Sequence, residues 1–169
     1  MSLLEEAVKM LESQRAGVIA EIENTPDDDL DYRISDDART FREIALHIAR
    51  VSVGLVDEIL KRDGSFMNLF NPDTQAGLQA RVPDAATKAE LIERLKTTGE
   101  QNATRVREAG DRLVTETMAT LGGPATRLSA LWFAVSHEMY HRGQLAIYGR
   151  GCGVVPALTQ RLNALLASR

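Results

Sequence analysis

An all-α protein, a four-helix bundle with a short extra C-terminal helix, is what this 169-residue sequence predicts. Three observations predict it. Apolar residues recur at helical spacing in four longer stretches and one short one. Two of the longer stretches open on Thr-x-x-Glu, the reciprocal cap of a helix start, at Thr40 with Glu43 and at Thr87 with Glu90. No alternating run is long enough to build a sheet, and no internal repeat is visible. With 44% hydrophobic and 26% charged residues, the chain suits one domain over residues 1–169 with a core of its own.

The first helix spans about Ser2 to Asn24, where Leu4, Ala7, Val8, Leu11, Val18, Ile19 and Ile22 give a broken helical spacing. Thr25–Arg39, with Pro26 and six aspartates, reads as a loop. Thr40 opens the second helix, which reaches about Asp63 and stops at Gly64. Residues 65–86 hold Pro72, Gly77 and Pro83 and read as irregular. The third helix starts at Thr87 and ends near Gly110. Leu113–Met118 reads as a short extended piece, and Gly122, Gly123 and Pro124 break the chain again. The fourth helix runs from near Thr126 to near Gly149, and Gly151, Gly153 and Pro156 separate it from a last helix ending at Leu166. The long connection between helices two and three means that the topology need not be simple up-and-down.

Charge and composition exclude several partners. Net charge is −4 and no Lys/Arg run exceeds two residues, so the basic stripe of a nucleic-acid binder is missing. The N-terminus carries Glu5 and Glu6 and no uninterrupted apolar segment, which fits neither a signal peptide nor a membrane span. A lone cysteine, Cys152, fits a reducing compartment, and a cytoplasmic location is expected.

The sequence has three histidines, His47, His137 and His141, all inside predicted helices. His137 and His141 are four residues apart, on one helix face and about 6 Å apart along the axis. They share a stripe with Ala130, Phe133, Ala134, Gln144 and Tyr148. His47 sits likewise with Ile44, Ile48, Val51 and Leu55 on helix two. Two such stripes facing each other would bring three imidazoles to one divalent ion. A lone histidine on an apolar stripe is usually a core side chain satisfied by a hydrogen bond. Three such residues with none to spare would leave several buried nitrogens to satisfy separately, whereas an ion satisfies one of each.

His137-Glu138-Met139-Tyr140-His141 also spells the zinc-protease motif, in which the glutamate is a general base. That reading needs a third ligand downstream, and no Asp, Glu or His follows His141. Peptidase activity is therefore not expected. Glu138 is a candidate to orient a bound water or take its proton, or else a rim residue paired with Arg142. Gln144 and Tyr140 are further candidates to line the site, each with an ordinary packing role as the alternative. Cys152 lies eleven residues past His141, about 16 Å away along a helix, and is read as incidental. The other face of helix four, Trp132, Val135, Met139 and Ala146, would either meet a second copy of the chain or be covered by the last helix.

Thr40-Phe-Arg-Glu-Ile-Ala-Leu-His47-Ile-Ala and His137-Glu-Met-Tyr-His141-Arg-Gly-Gln144-Leu together resemble the DinB-like (damage-inducible, YfiT-type) superfamily of metal-dependent proteins. The resemblance covers essentially the whole chain, and the H-x-x-x-H-R-G-Q string is its more specific part. It implies a four-helix bundle, a homodimer, and a nickel or zinc site whose three ligands map onto His47, His137 and His141. It also implies thiol S-transferase or hydrolase chemistry on a small molecule, with a low-molecular-weight thiol among the candidate substrates. A non-catalytic, metal-stabilised stress-response binding module is the competing expectation, and a metal-free helical dimer is a third.

Overall fold

The computed structural model describes residues 1–168. Helix α1, Leu3–Asn24, is capped by Ser2, whose side chain accepts the Glu5 N–H. Both Thr-x-x-Glu sequences form complete capping boxes. Thr40 and Glu43 open α2, Phe41–Leu60. The stretch expected to be irregular is instead a 3-10 turn, Phe66–Phe70, followed by α3, Pro72–Arg81. Pro72 occupies the first turn of α3 behind an Asn71 cap, where its missing N–H costs no intrahelical bond.

Thr87 and Glu90 open α4, Lys88–Ala109, which ends at Gly110 in the positive-φ conformation that favours glycine. The piece expected to be extended divides into a helical turn, α5, Arg112–Thr115, and a strand, β1, Thr117–Thr120. β1 pairs antiparallel with β2, Gly123–Thr126, so Leu121 and Gly122 form the tip of a small hairpin. Helix α6, Arg127–Gly151, then runs the length of the molecule, and α7, Ala157–Ala167, closes the chain. No described helix is long and apolar enough to cross a membrane.

The four long helices form a bundle in which α1 and α2 each pack against both α4 and α6. Arg107 of α4 binds Glu5 and Glu12 at the start of α1, so these two helices are antiparallel. Arg15 meets Glu138, while Glu21 meets Ala157 just beyond α6, so α1 and α6 run in the same direction. Ser52 with Asn102 and Asp57 with Arg105 show that α2 and α4 also run in parallel. Parallel neighbours need a connection that travels back along the bundle, about 30 Å for a 20-residue helix. The segment between α2 and α4 supplies it. Buried Glu58 ties the start of that crossover to α2 by accepting from the Ser65 N–H and the Asn68 amide.

Apolar packing forms two clusters. Val18, Ile22, Phe41, Ile48, Leu91 and Leu145 belong to one, and Leu4, Val8, Leu11, Leu55, Val106 and Leu131 to the other. A buried polar network lies between them: Arg15, Ser52, Thr98, Asn102 and Glu138. Arg15 uses all five of its N–H donors there. They go to both carboxylate oxygens of Glu138 (3.0 and 2.6 Å), the Leu95 carbonyl, Thr98 and Ser52. One side chain thus ties together all four long helices.

Candidate metal centre

The face of α6 next to this network carries the histidines toward α2. His47 lies one and a half turns into α2, between Ile44 and Ile48 on a buried side, and meets α6 across the antiparallel interface. Its ring centroid is 5.2 Å from that of His137 and 4.7 Å from that of His141, and the latter two are 4.5 Å apart. Among the described residues the three form the one group with metal-ligating potential, their donor atoms all within 4.8 Å of one another. The sequence expectation of a cross-bundle imidazole triad therefore matches the geometry.

Several details bear on whether an ion fits. The Nε2 atoms of His47 and His137 are 3.3 Å apart, close to the roughly 3.3–3.4 Å edge of a tetrahedron whose metal–nitrogen bonds are about 2.0–2.1 Å. His141 Nδ1 lies 2.6 Å from Gln144 Oε1, so Nδ1–H donates and Nε2 keeps its lone pair for a ligand bond. His137 Nδ1 is buried with no hydrogen-bond partner, and since Nε2 is the nitrogen turned to His47, an ion would leave this second nitrogen as it is.

All three imidazoles are held neutral. Burial pushes His47 down to about 4, helped by the proximity of His141 and Arg39. Burial also pushes His137 down to about 3, with His141, His47 and Arg15 adding to the shift. His141 is lowered by burial, against the opposing hydrogen bond to Gln144, with Arg39 again lowering it. Neutral imidazole is the form that binds a metal.

The other candidate residues divide by burial. Glu138 faces the interior of the bundle, 1% exposed, with both oxygens held by Arg15. It is not a rim residue paired with Arg142, and Arg15, which holds it, is near enough to His137 to disfavour that ring's protonation. Arg142 instead lies across α1, where a Cβ on Gly17 would strike its guanidinium, and reaches Gln14. Tyr140 is 65% exposed and stands edge-on to the His141 ring, centroids 5.0 Å apart. Cys152 forms the C-cap of α6 and is outside the imidazole cluster.

Two cavities meet at His47. A cleft of about 540 Å³ opens along the start of α2, past Arg39, Arg50 and Asp84. A pocket of about 220 Å³ reaches His137 beneath Phe66, Leu69 and Phe133. These walls were not read from the sequence, although Phe133 stood on the histidine stripe. Arg15 was also missed, and one signal pointed to it. It falls between Leu11 and Val18 at helical spacing, so the break in the apolar stripe of α1 marks a buried charge.

A sequence profile of the DinB superfamily matches residues 10–145. No protein among the curated ones matches the chain. YfiT from Bacillus subtilis, described as a probable metal-dependent hydrolase with an unusual four-helix bundle topology, superposes with a TM-score of 0.68 at 17% identity. That match covers 89% of this chain and 87% of YfiT. A DinB-like protein of Bacillus cereus gives a TM-score of 0.65 at 14% identity, over 85% and 88% of the two chains. Another, from Bacillus subtilis, gives 0.64 at 18%, over 88% and 92%. These structures share the fold.

Proposed function

The chain belongs to the DinB superfamily, and from that premise we propose that it is a metal-dependent enzyme acting on a small molecule, with thiol S-transfer the favoured reaction. The carrying observation is the convergence of three neutral imidazoles at the meeting point of two cavities. His47, His137 and His141 would hold one divalent ion. Nitrogen donors of this kind suit zinc and nickel alike. Bound there, such an ion supplies Lewis acidity, polarising an electrophile or deprotonating a coordinated thiol.

The protein's own groups divide the remaining work. Gln144 fixes the tautomer and orientation of His141. With both oxygens held by Arg15, Glu138 is assigned a structural role in this reading rather than that of general base. Of the carboxylates in the charged cleft, Glu43 caps α2, Asp37 accepts from Ser35, and Asp84 pairs with Arg50. That leaves Asp36 at the exposed rim. A thiol held by such an ion would give up its proton to solvent outright, whereas water would do so only near pH 7, so the lack of a free base favours a thiol. Hydrolysis is the second reading, supported by the description of YfiT.

The test begins with elemental analysis of protein purified without a nickel column, expected to give one zinc or nickel per chain. Assays pairing low-molecular-weight thiols with small electrophiles follow, beside esters and amides as hydrolase substrates. Protein that takes up neither metal, or that turns over esters and amides equally well with and without it, would overturn the proposal.

A further inference from the structure

We propose that the two cavities meeting at His47 are the two halves of one binding site, which takes a small molecule carrying an aryl or branched alkyl group at one end and a carboxylate at the other. The proposal rests on the reading of the imidazole cluster as the reaction centre, which the two halves flank.

The apolar half is the pocket beneath Phe66, Leu69 and Phe133. Its one polar lining residue besides the two histidines is Gln75, whose amide is tied by one N–H to the Leu69 carbonyl. Phe66 is buried and packs its ring on Phe133, centroids 5.4 Å apart, which gives the pocket a firm wall. Phe70, Leu121 and Phe133 at this pocket are 67%, 52% and 42% exposed. Large apolar side chains left in water around a cavity mark a ligand surface rather than a core. A volume of about 220 Å³ exceeds the roughly 150 Å³ cavity that holds a benzene ring and is below the roughly 300 Å³ of a complete small-molecule site. It has room for one ring and a short linker, so the rest of the ligand lies outside it, past the imidazoles.

The other half is charged, and its charges are unequal in their freedom. Arg50 is neutralised by Asp84 at 2.6 Å and also donates to the Val82 carbonyl. Arg33 has no carboxylate partner among the described residues, but it lies at the exposed rim, where it reaches the Asp36 carbonyl. Arg39 lines the same cleft as His47 and has no carboxylate partner among the described residues. Its backbone is anchored by Tyr148, whose hydroxyl donates to the Arg39 carbonyl at 2.9 Å. Its charge is near enough to disfavour protonation of both His47 and His141. An unpaired guanidinium on an anchored stretch of backbone in the same cleft as His47 is suited to a carboxylate, which it can bind with two parallel N–H donors.

Calorimetric titration of the full-length chain, zinc-loaded and metal-free, with 3-phenylpropionate, propionate and 3-phenylpropan-1-ol tests this. The phenylpropionate should bind more tightly than either truncated probe. Arg39→Gln should weaken it about tenfold or more, the scale of a lost hydrogen bond to a charged group, and leave the alcohol unchanged. Val51→Phe, which fills the space between the two halves, should reduce phenylpropionate to the affinity of propionate while thermal melting reports an intact fold. Equal affinity for all three probes, or a carboxylate preference that survives Arg39→Gln, would overturn the proposal. The metal-free titration keeps the outcome separate from that of the metal: chains that take up no zinc yet discriminate the probes would refute the enzyme reading and leave the bipartite site standing.

Discussion

Arg15 and Glu138 show what one residue pair can do in a bundle of this size. A buried ion pair with every donor satisfied is stable only as a whole, because removal of one partner leaves the other charge uncompensated. Glu138→Gln is therefore expected to lower stability by roughly 3–5 kcal/mol in urea denaturation while metal content at low temperature stays at one per chain. A loss below about 1 kcal/mol, the scale of an exposed pair, would show that the network is dispensable. His47→Ala, His137→Ala and His141→Ala should each abolish stable metal binding, read by elemental analysis after dialysis. Full occupancy in His47→Ala would refute a site that spans α2 and α6. The histidines were legible in the sequence because their spacing and stripe carry the information locally. The partner of Glu138 was not, since it lies 123 positions away and pairing across the bundle leaves no local pattern.

Helix α6 is amphipathic in a way the sequence only half revealed. Val135, expected on its second apolar face, is buried, whereas Trp132, Met139, Tyr140 and Ile147 are exposed at 39%, 56%, 65% and 61%. Helix α7 does not cover this face. It docks beside α1, where Glu21 caps its first N–H groups and Gln160 bonds Asn24. We expect a homodimer through the exposed face of α6. Sedimentation at micromolar concentration should show it, and Trp132→Glu or Met139→Glu should shift it to monomer. A wild-type monomer would leave that face without a role in assembly. Among the other elements, α3 was hidden because Pro72 reads as a breaker when its position relative to a cap is unknown. The capping boxes gave the starts of α2 and α4 to the residue, since their signal lies within four positions.

At the scale of the whole molecule, the imidazoles couple stability to pH. Their folded values, about 4 for His47 and about 3 for His137, lie below the unfolded value of about 6.5. The unfolded chain thus binds more protons below pH 6.5, and the metal-free fold loses stability as pH falls through that value and on toward 3. Urea midpoints of metal-free protein should be level above about pH 7 and decline below 6.5. A midpoint that is flat from pH 7 to 4 would contradict the burial of these rings. The four long helices and their order were readable from the sequence, but the direction of each was not, because direction is set by contacts between α1, α4 and α6 that periodicity does not encode. That arrangement also governs how the chain can assemble. Neither partner of α1 is its successor: it packs against α4 and α6, which begin at Lys88 and Arg127. During synthesis the apolar stripe of Leu4, Val8, Leu11, Val18 and Ile22 therefore has no lasting partner until more than half of the chain has been made. Long-range closures of this kind slow folding relative to bundles built from successive hairpins. They also leave a nascent chain dependent on dilution or on chaperones for longer than its small size suggests.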